Sequence, residues 1–394
     1  MKHSVLINSV LLILLTVLLP TDYVVQAEES NEESTPEDDL LDDISLSEIE
    51  TYWEKIINDY DGYIPELDKS TLYEMIKEKK TLSLKNVLYG ILDYLFQELL
   101  ANGKLLGMLL MLTLFSTILQ TMHAAFERGS ISKIAYFVVY IVLLFLALNS
   151  FYDAASYATE TIMMMNHFML ALIPLVLGLM SSFGNMIAVS FFQPIIIFFV
   201  NISGTLVIKV ILPILFLAAL LLIVSTLNEQ YKATHLANLL KSIGLGILGV
   251  FITVFLSVMS VQGATSAVQD GVAMKTTKFI TGNFIPVVGR TFTDATDTIL
   301  SASLLLKNAV GIVGLIIIIF LALFPAIKIF VIGVIYRIGA AILQPIGDGP
   351  IVECLIIISK YIFYILACLL LMTFMFFMAI VIIVAASNLT LLLR

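Results

Sequence analysis

Two acids in a threonine-rich segment of the apolar part of the chain are the first candidates for chemistry. They are Asp294 and Asp297, three residues apart. At this spacing two side chains share one face of a helix, where carboxylates could line a path for a cation or a proton. The alternative is the solvated face of an amphipathic helix outside the membrane. The sequence favours this alternative because it does not establish that the acids are buried.

Two bases, Lys307 and Arg337, complete this candidate polar pathway. Arg337 lies midway through the apolar run 329–347, where a charge needs an acidic partner or a water-filled cavity. One interpretation is therefore a polar interior around Arg337. The other is that the helix boundary lies elsewhere and the side chain reaches along the helix to the membrane surface.

A candidate re-entrant element covers residues 274–294, if the internal repeat described below is real. Gly282, Pro286 and Gly289 interrupt its helical pattern. Irregular backbone at membrane depth is tolerated only where protein or a watery cavity surrounds it. We therefore expect this segment to enter the membrane from one side or to lie against its surface.

Patterns for catalysis, metal binding and nucleic-acid binding are missing from the sequence. The histidines His123, His167 and His235 lack metal-ligand spacing, and the two cysteines, Cys354 and Cys368, sit in or beside apolar segments. No extended basic cluster is present that would bind a phosphate backbone. We therefore expect no enzymatic activity, no cofactor, no metal and no nucleic-acid partner.

The elements that must position these residues are membrane helices. The chain has 394 residues, of which 60% are hydrophobic and 13% charged, whereas soluble proteins carry about a quarter charged residues. Repeated apolar runs approach the ~20 residues needed to cross a bilayer. Their predicted partner is membrane lipid, which offers backbone groups no hydrogen bonds, so these runs must be helical. The predicted spans are 105–122, 134–149, 162–182, 186–208, 210–227, 243–261, 308–327, 329–347 and 361–386. The predicted fold is an all-α polytopic integral membrane protein with a small N-terminal extracytoplasmic helical region.

The chain divides into four predicted regions. Residues 1–27 have the short basic start, apolar run and small-residue cleavage site of a secretory signal peptide, although an uncleaved anchor is the alternative. Residues 28–43 are too acidic to fold and predict a disordered tether. Capping-box patterns and helical spacing predict an extracytoplasmic helical region over 44–104. Residues 105–394 form the multi-pass, permease-like region.

A weak internal repeat divides the membrane region into 134–227 and 243–347. The letters IPLV at 173–176 return as IPVV at 285–288, and Pro213 and Pro325 have the same separation. Such repeats are typical of transporters, but chance matches within a restricted apolar alphabet are the alternative.

Four stretches of the sequence resemble a known family. They are FIPVVGR at 284–290, TDATDT at 293–298, SASLLLKNAVG at 301–311 and AASNLT at 385–390. They look like the stage III sporulation protein AE family of endospore-forming bacilli. The signal peptide, the acidic preface and the polytopic body match as well, so the resemblance extends over essentially the whole chain.

The resemblance implies a role in forespore development after engulfment. It implies a place in the mother-cell membrane surrounding the forespore, within a secretion-like channel complex. The implied partners are other proteins of the stage III sporulation A operon and a forespore membrane protein. It supplies no catalytic residues. A stand-alone ion-coupled secondary transporter, with Asp294, Asp297 and Arg337 coupling solute to ions, is the alternative function.

Overall fold

The computed structural model of the protein describes residues 47–60, 62–63, 69–76, 83–125, 130–182, 185–227, 233–284, 288–345 and 349–392. Within these residues the chain forms ten α-helices and no strand. The helices are α1 (Ser47–Asp59), α2 (Lys69–Ile76), α3 (Leu84–Ala101), α4 (Gly103–Ala125), α5 (Ser130–Ser182), α6 (Met186–Leu206), α7 (Leu212–Leu227), α8 (Thr234–Phe284), α9 (Val288–Leu343) and α10 (Pro350–Leu392). The predicted signal peptide and acidic tether, 1–27 and 28–43, lie outside the described residues.

Five long helical rods make up the body of the protein. A π-helical turn, Val207–Ile211, joins α6 to α7 so that they form one rod. The other rods are α5, α8, α9 and α10. By length and composition, all five described rods can cross a membrane, and the pair α3 and α4, bent by 42°, can supply a sixth crossing. The prediction of an all-α polytopic membrane protein is confirmed.

The prediction of nine separate spans is wrong. Helix α5 runs through both 134–149 and 162–182, and α9 continues through most of 308–347 without a break. The polar residues between the predicted spans 134–149 and 162–182 are compatible with a helix, since residues 150–161 contain neither glycine nor proline. Hydropathy reports which solvent a side chain prefers, whereas a helix ends only where its backbone is broken or capped.

The five rods alternate in direction. Gly314 of α9 packs against Leu172 of α5, and the Tyr336 hydroxyl of α9 donates to Ser150 Oγ of α5 at 2.9 Å. These contacts fix an antiparallel register. We call the end that holds the starts of α5, α8 and α10 the lower end of the bundle. The opposite end, where α6 and α9 start, is the upper end.

The N-terminal helices pack on the bundle through aromatic rings. Phe324 of α9 stacks on Tyr60 with ring centroids 3.7 Å apart and meets Tyr94 edge-on at 4.9 Å. Tyr52 of α1 meets Phe168 of α5 at 5.1 Å, and Trp53 beside it is buried. Burial, followed by the nearby Asp59 carboxylate, raises the pKa of Tyr60 to about 12, so its hydroxyl is neutral at physiological pH. Helices α1–α3 therefore share one apolar core with α5 and α9.

Removing the central ring of this contact should loosen the N-terminal helices. We expect Phe324→Ala to destabilise the protein by about 3 kcal/mol, because a buried phenylalanine is replaced by a cavity. Trp53 is the sole tryptophan of the chain, so its fluorescence reports on the N-terminal helices. On heating, this emission should shift to longer wavelength at a lower temperature in Phe324→Ala than in the parent. Phe145→Ala, at a position 63% exposed, is the control and should leave the transition unchanged.

Candidate functional site

The structure separates the residues of the candidate polar pathway. Asp294, Asp297 and Lys307 lie in the first part of α9, and Arg337 lies in the same unbroken helix near its other end. The 30 residues from Lys307 to Arg337 correspond to about 45 Å of helix. Arg337 therefore cannot contact the other three within one chain. The side chains of those three lie outside the described part of the structure.

Arg337 is exposed and lies six residues before the end of α9. Among the described residues it has no acidic partner. This position favours the second interpretation of the sequence, in which a long basic side chain near a helix end extends to the membrane surface.

The candidate re-entrant element consists mainly of helix. Helix α8 continues through Gly282 to Phe284, and α9 resumes at Val288, one residue before Gly289. Neither glycine interrupts the helix that contains it. Pro286 lies in the three residues between the helices, outside the described part of the chain. Entry of this segment into the membrane stays a prediction.

One buried carboxylate that the sequence did not single out caps the start of a helix that is distant in sequence. Asp270 of α8 is 1% exposed. Its Oδ1 accepts a hydrogen bond from the Ile187 amide at 3.1 Å, and its Oδ2 accepts one from the Ala188 amide at 2.9 Å. These are the second and third residues of α6, whose amides a capping side chain normally binds. The residue before α6, Asn185, makes no such side-chain cap, so Asp270 supplies it.

The start of α6 compensates the burial of the Asp270 carboxyl group. The N-terminal end of a helix carries a partial positive charge, and each carboxyl oxygen accepts one amide hydrogen bond. Among the buried polar residues in the described part of the chain, Asp270 alone carries an ionisable group. It fixes the start of α6 to the side of α8.

A second polar contact lies deeper in the bundle, between α5 and α6. The amide of Asn166 occupies the space beside Gly204, where a methyl group would collide with it. Its Oδ1 atom is buried and accepts no hydrogen bond from the described residues. The π-helical turn follows three residues later and ends two residues before Pro213. A proline clashes with the carbonyl four residues earlier, and a widened turn relieves that clash.

Charged and aromatic residues of all five rods lie at one level around the bundle. The Lys328 ammonium lies 5.4 Å from the ring centroid of Tyr157, and that of Lys241 lies 5.9 Å from Tyr364. The Asn166–Gly204 contact places Lys209 at the level of Glu160. Every rod contributes at least one charge at this level. We call these residues the polar belt: Asp153, Tyr157, Glu160, Lys209, Lys241, Lys328, Lys360 and Tyr364.

The polar belt marks a level at which the outside of the bundle meets water or lipid headgroups. Asp153, Glu160 and Lys209 are exposed, and an exposed charge at the centre of a bilayer is costly. Tyrosines paired with bases are typical of membrane interfaces. Among the described residues, no three histidines, cysteines or acids are close enough together to hold a metal ion.

The Asp270 cap generates a stability prediction. We expect Asp270→Ala to lower stability by about 2 kcal/mol, because two buried amides at the start of α6 lose their acceptor and the helix dipole loses its counter-charge. Asp270→Asn keeps one acceptor oxygen and should cost less. The thermal unfolding midpoint in mild detergent measures both changes. Asp93→Ala, at an exposed aspartate of α3, is the control, and equal midpoints for the two alanine variants would contradict the capping role.

Comparison with known proteins gives one consistent family. The family model described as Stage III sporulation protein AE matches residues 67–387. Stage III sporulation protein AE of Bacillus subtilis (strain 168) is 49% identical over 393 residues, which cover 98% of each chain. No solved structure matches the chain. The family model covers α2–α9, most of α10 and both candidate segments, so the resemblance seen in the sequence is confirmed: the chain belongs to the stage III sporulation protein AE family.

Proposed function

We infer that the protein acts in sporulation, because it belongs to this family. Its apolar rods make it a multi-pass membrane protein of a sporulating bacterium. The family name is that of a sporulation stage and names no reaction.

We propose that the protein is a membrane component of a channel complex that connects the mother cell with the forespore and sustains forespore development after engulfment. Its place is the mother-cell membrane surrounding the forespore. Its partners are other stage III sporulation A proteins and a protein of the forespore membrane. The observation that carries the proposal is the kinship with a stage III sporulation protein over 98% of both chains.

The geometry supports an assembly role. Helices α1–α3 are held against α5 and α9 above the polar belt, where exposed side chains such as Lys55 and Asp93 are available to partner proteins. In the alternative transporter, Arg337 would lie about 60 Å along the helix from Asp297, since both residues occupy α9. Arg337 therefore cannot act together with the acids of α9 in a single chain.

Complementation tests the role in sporulation. The chain should restore heat-resistant spores to a spore-forming bacterium that lacks its own stage III AE protein. Without it, cells should complete engulfment and then stop. Heat-resistant colony counts measure the result, with fluorescent membrane staining to record the stage of arrest. Full spore formation in the deletion strain without the chain would contradict the role.

Reconstitution separates a complex component from a self-sufficient transporter. We expect the purified protein alone, in liposomes with an ion gradient, to give no solute uptake above that of empty liposomes. The double variant Asp294→Asn with Asp297→Asn should behave in the same way. Uptake by the parent protein that the double variant lacks would overturn the proposal in favour of an ion-coupled permease.

A further inference from the structure

Two lysines on neighbouring rods of the polar belt converge on one tyrosine. The ammonium of Lys241, on α8, lies 5.9 Å from the ring centroid of Tyr364, on α10. Lys360 precedes Tyr364 by one helical turn, so both lie on the face of α10 that meets Lys241. The two ammonium groups are close enough to repel each other. We call Lys241 and Lys360 the lysine pair.

No carboxylate in the described part of the chain neutralises the lysine pair. The Lys241 ammonium donates to the uncharged side chain of Asn238 at 3.1 Å, and neither lysine has an ion-pair partner among the described residues. The nearest acid on α10, Glu353, lies about 10 Å along the helix from Lys360. Helix α7, which packs beside α8, carries no charged residue.

The other lysine and tyrosine contact of the polar belt has balanced charges. There Lys328 lies 5.4 Å from the ring of Tyr157, and the carboxylates of Asp153, Glu98 and Glu160 are near enough to act on the tyrosine hydroxyl. The protein itself supplies the negative charge on that side of the bundle. On the side of α8 and α10, two cations held together without an acid indicate an anion from outside the chain.

The lysine pair stands where two long uncharged stretches begin. Helix α8 has no charged residue between Lys241 and Asp270, and α10 has none from residue 361 to its end. Each stretch exceeds the ~20 residues needed to cross a bilayer and lies in a candidate membrane span. Both helices start at the lower end of the bundle, so the two lysines are level. Bases at the beginning of a membrane span are typical of the level of lipid phosphates.

A buried hydroxyl beside the lysine pair lacks a hydrogen-bond partner. Tyr361 is completely buried, and its ring meets that of Tyr364 edge-on with centroids 5.3 Å apart. Its hydroxyl has no hydrogen-bond partner among the described residues. An unsatisfied buried polar atom is commonly completed by an ordered water or a bound ligand. This observation is independent of the lysines and places a free donor one ring contact away from the Lys241 ammonium.

We propose that the lysine pair binds the phosphate group of an anionic phospholipid. Ammonium groups donate charge-assisted hydrogen bonds to phosphate oxygens. A zwitterionic headgroup would bring its own cation to a site that already holds two, so an anionic headgroup is favoured. Beyond the pair, Ile243 of α8 and Leu370 of α10 are 43% and 49% exposed and give acyl chains an apolar surface, which inorganic phosphate would not use. The proposal does not depend on the channel role.

Native mass spectrometry of the full chain tests the site. The protein in mild detergent is mixed with phosphatidylglycerol or with phosphatidylcholine, and the lipids retained on the 43.5 kDa chain are counted. We expect the parent to retain phosphatidylglycerol in preference to phosphatidylcholine. Lys241→Gln with Lys360→Gln should lose this preference, because each charge-assisted contact removed weakens binding by about tenfold. Equal retention of the two lipids by the parent would overturn the proposal.

Matched variants separate this site from the net charge of the protein. Lys209→Gln with Lys328→Gln removes the same charge elsewhere on the polar belt and should keep the preference, as should Lys241→Arg with Lys360→Arg. An equal loss in both glutamine double variants would overturn the proposal. Lys360 is exposed, so Lys360→Gln alone leaves the fold intact. It should weaken the preference, whereas Lys209→Gln should not, and equal retention by these single variants would also overturn the site.

Thermal unfolding separates a lipid site from a site for free phosphate. Phosphatidylglycerol should raise the unfolding midpoint of the parent and of the Lys209→Gln with Lys328→Gln variant, because a ligand of the native state stabilises it. It should not raise the midpoint of the Lys241→Gln with Lys360→Gln variant. Inorganic phosphate at the same concentration should give no shift in the parent. An equal shift with inorganic phosphate would overturn the assignment to lipid.

Discussion

The fixed rise of the α-helix against the fixed thickness of a bilayer is the constraint that organises this protein. A helix gains 1.5 Å per residue, so a rod of more than 40 residues passes through the hydrocarbon core and continues beyond it. The rods are therefore longer than the hydrocarbon core is thick, and part of each rod lies outside it. Helices α1–α3 pack on one side of the rods, against α5 and α9.

Much of the helical content follows from the sequence, because apolar runs of membrane length admit hardly any other structure. The capping-box pattern at Ser45 and Glu48 predicts α1, and the leucines after Ser83 predict α3. The number of helices does not follow. Asp153 and Glu160 lower the hydropathy of the middle of α5, yet both residues are compatible with a helix. Hydropathy therefore detects these two charges but gives no reason to expect an unbroken backbone there.

The candidate site is predictable only in part, for a related reason. Asp294 and Asp297 are conspicuous in sequence because threonines surround them, and the helix expected through them is present. Asp270 lies among similarly polar neighbours, and nothing local distinguishes it from a solvated acid. Its role depends on the start of a helix more than 80 positions earlier in the chain. Only the tertiary packing of α6 on α8 brings the carboxylate and the two amides together.

The long sequence separation between Ala188 and Asp270 also bears on the synthesis of the protein. The amide of Ala188 and its acceptor Asp270 are 82 residues apart, which a ribosome translating about 5–20 residues per second covers in roughly 4–16 s. Throughout that interval the nascent α6 has no partner for its first turn. The beginning of α6 therefore gains its buried acceptor only after the ribosome has made most of α8.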